Sequence, residues 1–378
     1  MATDVVIVGG GVVGLSIAYR LAHEGVKSIL IDRGPPGREA SWAGAGMLPA
    51  NTERLRGHAM SELRSWSASL YPEWSEQLRA ETGIDNGYRR TGGVDVALTE
   101  AEDLDLRSMA GRWKLEGISH ERLAPSDFGR VEPALNPALR VAYFLPDRAQ
   151  IRNPWHLKAL IEASTKRGVR IVANEPVIGF ETEGQRVLSV RTEQRAIPCG
   201  AVVVAAGAWT GALLGGLGVD APTKPWRGQI VLLNCARPSL RRIVEHGDHY
   251  LVPREDGHVL VGSTEEDVGF DHRTTAQGVA SLLDESTRLC PILAEAEVVQ
   301  TWAGLRPGSF DTRPYIGPAP GFANAFVASG HKRAGLQLSP ATAEVVTDLI
   351  LDRPPRIDLD AFRLDREPAT AADRTFRS

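Results

Sequence analysis

The chain has 378 residues, enough for two domains with sizeable cores. Hydrophobic residues make up 43% and charged residues 24%, the balance of an ordinary soluble globular protein. A formal net charge of -4 excludes a broad basic field for nucleic acid or an anionic membrane, and no apolar run approaches the roughly 20 residues of a membrane helix.

Residues 4–8 predict a short buried strand, followed by Gly9, Gly10 and Gly11. Val12, Val13, Leu15, Ile17, Ala18, Leu21 and Ala22 recur at helical spacing until Gly25, and residues 28–32 predict a second strand. A βαβ unit therefore opens the chain. Asp4 in place of a basic region, and glycines interrupting the apolar stretch, argue against a signal peptide here.

Residues 58–82 predict a helix in which Trp66 and Trp74 face the core, with Pro72 expected to kink or divide it. Asn153 as N-cap and Pro154 in the first turn predict a helix that Gly168 stops. Strands are expected at 169–173, 186–193 and 201–205. Residues 248–263 predict a β-hairpin whose turn, Glu255-Asp256-Gly257, uses a glycine at φ > 0. A helix over 274–290, strands over 297–303 and 324–329, and a last helix over 339–352 starting at Ser339-Pro340 complete the order. The tail from about 366 reads as frayed. Cys199, Cys235 and Cys290 are far apart and form no CxxC pair, so they read as buried thiols in a reducing cytoplasm, with neither a metal site nor a disulfide framework.

Gly9-x-Gly11-x-x-Gly14 lies between the first strand and first helix. In that context the first glycine permits the tight turn and the second a close backbone approach to a pyrophosphate; the third lets helix and strand pack closely. Asp32 ends the next strand, where a carboxylate can accept hydrogen bonds from a ribose diol. It also reads as a solvated charge. The motif leaves FAD and NAD open, and Arg33 reads either as a contact to a 2′-phosphate or as an exposed side chain.

Ser41-Trp-Ala-Gly-Ala-Gly-Met-Leu-Pro49 and Trp302-Ala-Gly-Leu-Arg-Pro307 resemble blocks of the glycine oxidase family, within the D-amino-acid oxidase superfamily. So do Arg313-Pro-Tyr-Ile-Gly317, Gly330-His-Lys-Arg-Ala-Gly335 and Ser339-Pro-Ala-Thr342, in the same order, and Val202-Val-Val-Ala-Ala-Gly-Ala-Trp209 resembles a second flavin-side segment of the superfamily. The resemblance spans most of the chain and is weaker over 85–150. It implies FAD as cofactor, held by Gly9, Gly11, Val12, Val13, Gly14, Asp32 and Arg33. It adds Ser41, Ala45, Gly46 and Met47, then Val177 beside the adenine, and Ala206, Gly207 and Trp209. The flavin ring would lie along Gly330, His331, Lys332, Arg333, Gly335 and Leu336.

The implied fold is α/β (α+β overall), a Rossmann-like FAD-binding domain with a discontinuous substrate domain built on a largely antiparallel sheet. The expected division gives 1–80, 150–225 and 300–365 to the FAD-binding domain, 81–149 and 226–299 to the substrate domain, and 366–378 to the tail.

An amino-acid oxidase must hold a carboxylate beside the flavin, and the planar fork of an arginine suits that task. The resemblance gives this role to Arg306, with Tyr250 as a second carboxylate contact and Arg333 beside the flavin. Glu265 stands where the familiar *Bacillus*-type sequence has methionine; it reads as a contact to a substrate amine or as a solvent-facing charge. Ala334 replaces an asparagine. The implied reaction is hydride transfer from the α-carbon of glycine or another small amine to flavin N5, with no required base. Oxygen would reoxidise the flavin to give hydrogen peroxide, and the imine would hydrolyse or feed thiazole synthesis. No metal is implied, and the family often forms homo-oligomers. Rival readings are a sarcosine oxidase, a D-amino-acid dehydrogenase, a flavoprotein subunit of a larger assembly and an NAD enzyme. No cysteine follows Cys290 to attach a flavin covalently near the end of the chain, as monomeric sarcosine oxidases do.

Overall fold

The structure, a computed structural model, describes residues 3–50, 58–235 and 240–367. Val5, Val6, Ile7 and Val8 are at most 4% exposed. A strand apolar on both faces must lie inside a covered sheet, and Thr3–Val8 does, running parallel between Ser28–Ile31 and Ala196–Val204. The full order is Tyr315–Pro318, Ala325–Ser329, Ala196–Val204, Thr3–Val8, Ser28–Ile31 and Arg170–Val172. All neighbours are parallel except the outer pair Tyr315–Pro318 and Ala325–Ser329. A hairpin of Val177–Glu183 and Arg186–Thr192 extends the strand Ala196–Val204. The helices Val12–His23, Ala59–Thr82, Asn153–Lys166 and Gly335–Ile350 pack together in one apolar cluster with this sheet.

A second eight-stranded sheet is antiparallel apart from one pair. Its order is Glu297–Gly308, Lys224–Asn234, His258–Gly262, His249–Pro253, Ile243–His246, Gly93–Ala97, Val141–Leu145 and Glu121–Leu123. The strand Glu297–Gly308 carries this sheet across the boundary expected at 300. The sheets meet where the strand end at Gly308 bridges to His331.

Four expectations change. The helix Ala59–Thr82 runs undivided through Pro72; Trp66, Tyr71, Trp74 and Leu78 anchor it on both sides of the proline, each at most 4% exposed. The last helix begins at Gly335, with Pro340 inside it. A proline there has no N–H for the Leu336 carbonyl, and that carbonyl instead accepts the Tyr71 hydroxyl and, at 3.1 Å, the Ser339 hydroxyl. Asn153 does not cap its helix: Arg152 stands at the cap position and Asn153 is the first helical residue, its side-chain oxygen without a donor and its amide N–H donating to the Ser41 carbonyl at 2.8 Å. Arg366 is not frayed: its guanidinium bonds both oxygens of the 4%-exposed Asp311 at 3.0 and 2.7 Å. Residues 368–378 of the expected tail lie outside the described residues.

Tyr71→Phe is expected to lower stability by about 1 kcal/mol, because Ser339 still reaches the Leu336 carbonyl. Thermal unfolding measures this, and an unchanged melting temperature would show that the tyrosine hydroxyl adds nothing.

Candidate active site

At the glycine turn, space is the controlling quantity. A Cβ on Gly9, whose φ is +110°, would lie 2.4 Å from the Ala205 carbonyl oxygen, and one on Gly14 would lie 2.0 Å from that of Gly9. Both are inside atomic contact, so strand and helix approach as closely as they do only with glycine here. The helix starts on Gly11 with no side-chain cap and no acidic residue in its first turn, and the Val12 N–H donates to Ser41 Oγ at 2.9 Å. Its N-terminus thus keeps the partial positive charge that suits an anion.

Asp32 accepts from the Gly10 N–H at 2.6 Å and the Gly34 N–H at 2.8 Å. Burial raises its carboxyl above the ordinary value against these two donors. A carboxylate has about four acceptor sites, so it retains capacity for a diol.

These groups line a cavity of about 480 Å³. Its wall includes Gly9, Gly11, Val12, Val13, Asp32, Arg33, Ser41, Val177, Ala206, Gly207, Trp209, His331 and Gly335. Arg33 stacks 3.5 Å above the Trp209 ring and bonds Glu39 at 2.9 Å, so it covers the rim. Gly14 and Gly330 are outside the wall; Gly330 sits at φ +76°, where a Cβ would come 3.1 Å from the Tyr315 ring.

A second cavity, about 150 Å³, shares Val12, Ala40, Ser41 and Gly335 with the first. Ala45, Gly46, Met47, Tyr250, Arg306, Lys332, Arg333 and Leu336 line it. The segment 41–46 is fixed by its carbonyls: Ser41 accepts from Asn153, Ala43 from the Trp302 indole at 2.9 Å, and Ala45 from Arg254 at 2.7 Å. It is therefore a built wall.

Two glycines clear room for the expected substrate residues. A Cβ on Gly228 would lie 2.2 Å from the Arg306 guanidinium, and one on Gly262 would lie 2.4 Å from the Tyr250 ring. Arg306 donates to Ser263 Oγ at 2.5 Å and to the Thr264 carbonyl at 3.1 Å, and it forms no ion pair among the described residues. Burial lowers its pKa, with Tyr250 opposing.

Arg333 by contrast is paired, with Asp248 at 2.8 Å and Glu265 at 3.0 Å; Glu265 also holds Lys332 at 2.8 Å. Burial would raise the Glu265 carboxyl, but Lys332 and Arg333 outweigh it and hold it below the ordinary range. Glu265 is neither in the cavity wall nor solvent-facing alone; it anchors two cations that are in the wall. His331 is 2% exposed, burial pushes its pKa down to about 3, and Nε2 lies 3.2 Å from Thr342 Oγ1.

Sequence reasoning missed Glu245, Asp248 and His249 in the cavity wall, as well as Gly228 and Gly262. A carboxylate inside the apolar run Ile243–His246 was the available signal for Glu245. Among the described residues, no helix is long and apolar enough to cross a membrane, and no His, Cys, Asp or Glu group is placed to hold a metal ion.

A parallel sheet with a glycine turn and helix N-terminus, whose cavity shares wall residues with a second cavity that an arginine-bearing second sheet lines, defines a dinucleotide-dependent oxidoreductase. The family profile for FAD dependent oxidoreductases matches residues 4–349. Glycine oxidase of *Pseudomonas putida* is 38% identical over 362 residues, 95% of this chain and 97% of that protein. The crystal structure of glycine oxidase from *Geobacillus kaustophilus* superposes with a TM-score of 0.92 at 33% identity, covering 97% of this chain and 99% of that one. The bifunctional protein ThiO/ThiG of *Trichormus variabilis* is 31% identical over 93% of this chain, which spans 53% of that protein. The chain belongs to the FAD dependent oxidoreductase family, where its relatives are glycine oxidases. Its cofactor is FAD.

Proposed function

We propose that this chain oxidises glycine or another small amine at the α-carbon, with the ADP half of FAD along the larger cavity and the ring in the smaller one. The observation that carries this reading is Arg306, a cavity-wall arginine held only by neutral acceptors and so left with a charge to satisfy. A carboxylate fits its fork. Tyr250 adds a hydroxyl beside it, and Arg333, already paired with Asp248 and Glu265, offers no competing site for the carboxylate.

Together they would fix the substrate by its carboxylate and hold the α C–H bond in one direction, which is the large contribution that orientation makes to a bond transfer. FAD, when bound, supplies the hydride acceptor. His331 stays neutral and engaged with Thr342, so it is not assigned as a base. In the nucleotide cavity, Asp32 would take the ribose diol, the Val12–His23 N-terminus the pyrophosphate, and Val177 the adenine side.

The division into an FAD-binding and a substrate domain belongs to the same proposal, supported by the two sheets. Oxygen as acceptor is supported by the relatives' names as oxidases. Supply of the imine to thiazole synthesis is supported by the match to half of ThiO/ThiG. A reducing cytoplasm fits three free thiols, and a homo-oligomer, carried from the family expectation, is checked by sedimentation.

The purified protein is expected to show flavin absorption bands that bleach when glycine is added without oxygen. Bands that stay oxidised would remove glycine as substrate and turn the search to sarcosine and small D-amino acids. Absence of flavin bands after reconstitution with FAD would remove the whole reading.

A further inference from the structure

Beside the residues of the proposed carboxylate clamp lies a charge cluster that the clamp does not use. Arg148 donates to both oxygens of Asp95, one bond at 2.9 Å, and reaches Glu245 Oε1 at 2.7 Å. The three side chains are largely buried, with exposures of 11% for Arg148, 6% for Asp95 and 18% for Glu245. Asp95 and Glu245 are register partners on adjacent parallel strands.

Glu245 is also directly opposite Tyr250 on the antiparallel strand. Directly opposed residues project to the same face of a sheet, and both line the smaller cavity with Arg306 and Arg333. Two carboxylates thus share one guanidinium where charge is expensive to bury. Burial raises the Glu245 carboxyl well above the usual range; Arg148 and Arg333 oppose this, and Asp95 adds to it. Lys332, Asp248, His249 and Arg306 complete the charged and titratable groups around this cavity, and Arg64, Arg112 and Glu116 line a neighbouring pocket that Glu245, Asp95 and Arg148 also line.

We propose that Glu245 is the amine-recognition residue of the site: its carboxylate binds the substrate's ammonium and takes one proton from it while Arg306 holds the substrate's carboxylate. The inference rests on the amine-oxidation reading above. One N–H bond breaks and one O–H bond forms, so an ammonium and a carboxylate become a neutral amine and a carboxylic acid; no electrons move between molecules. Oε1 is engaged by Arg148, so the proton goes to Oε2. The neutral amine is the form from which hydride can leave.

The test compares wild type and Glu245→Gln as FAD-loaded enzymes. In wild type, kcat/KM for glycine should fall as pH drops through the raised Glu245 value. In Glu245→Gln the plateau should be lower by about a hundredfold, the scale of a lost proton acceptor, and that acid limb should be missing. Acetate, which has the carboxylate but no amine, should bind both proteins equally, whereas a merely structural role would weaken acetate and glycine alike.

If the variant does not hold FAD, the wild type alone decides. Its infrared difference spectrum on anaerobic addition of glycine should gain a protonated-carboxyl band, and absence of that band overturns the proposal. Wild-type bleaching with an unaltered variant overturns this inference alone. A wild type that glycine leaves oxidised overturns the functional reading first, and this one with it.

Discussion

Arg306→Ala is expected to leave a yellow, folded protein that has lost most of its catalytic efficiency toward glycine. Removing one partner of a desolvated, hydrogen-bonded charge pair costs about 2–5 kcal/mol, or roughly 30-fold to several thousandfold in kcat/KM at about 1.4 kcal/mol per tenfold. The loss should fall on acetate binding as well, which separates it from the change expected at Glu245. FAD content should hold, because Arg306 is not in the wall of the nucleotide cavity, where the ADP half is proposed to bind. Steady-state kinetics with a flavin spectrum of the same preparation measure both. A variant with wild-type efficiency would show that the substrate's carboxylate is bound elsewhere.

Gly14→Ala should act on the opposite end of the site. The new methyl carbon would lie 2.0 Å from the Gly9 carbonyl oxygen, which is backbone and cannot swing away. The helix Val12–His23 must then lift from its strand, and overpacking of this kind costs about 1–3 kcal/mol or more. Lifting also moves the uncapped N-terminus from the cavity, so the variant should purify with little flavin and melt earlier. Gly111→Ala is the matched control. It lies in the helix Glu100–Leu115, and a Cβ there meets nothing within 4 Å. It should keep its flavin and gain about 0.5–1 kcal/mol from helix propensity. A Gly14→Ala protein that retains FAD and wild-type stability would mean that the close approach is not needed.

Features specified by neighbouring residues were readable from the sequence. The glycine turn, Asp32 and the hairpin at Gly257 each depend on a short stretch of chain, and the segment Ser41–Met47 carried a family resemblance. What escaped depends on partners distant along the chain. Pro340 predicts a break only if its orphaned carbonyl stays unsatisfied, and Tyr71 supplies the missing donor from another helix. Asn153 has the composition of a cap, but it is the first helical residue and its amide is turned to the distant Ser41 carbonyl. Gly228 and Gly262 sit in ordinary strands, and only the placement of Arg306 and Tyr250 shows why a side chain is excluded there. Glu265 was readable as a charge near the site but not as the anchor of Lys332 and Arg333, which arrive from a different segment.

The order of strands in the parallel sheet also fixes when the protein can be finished. Thr3–Val8 leaves the ribosome well before one of its two neighbours, Ala196–Val204, which in turn pairs with Ala325–Ser329. The nucleotide cavity takes wall residues from Val8 to Gly335. Synthesis adds roughly 5–20 residues per second, so the opening βαβ unit waits tens of seconds with its glycine turn exposed and no opposite wall. Cofactor capture therefore waits until residue 335 has emerged, and a nascent chain arrested before it has no complete pocket to fill.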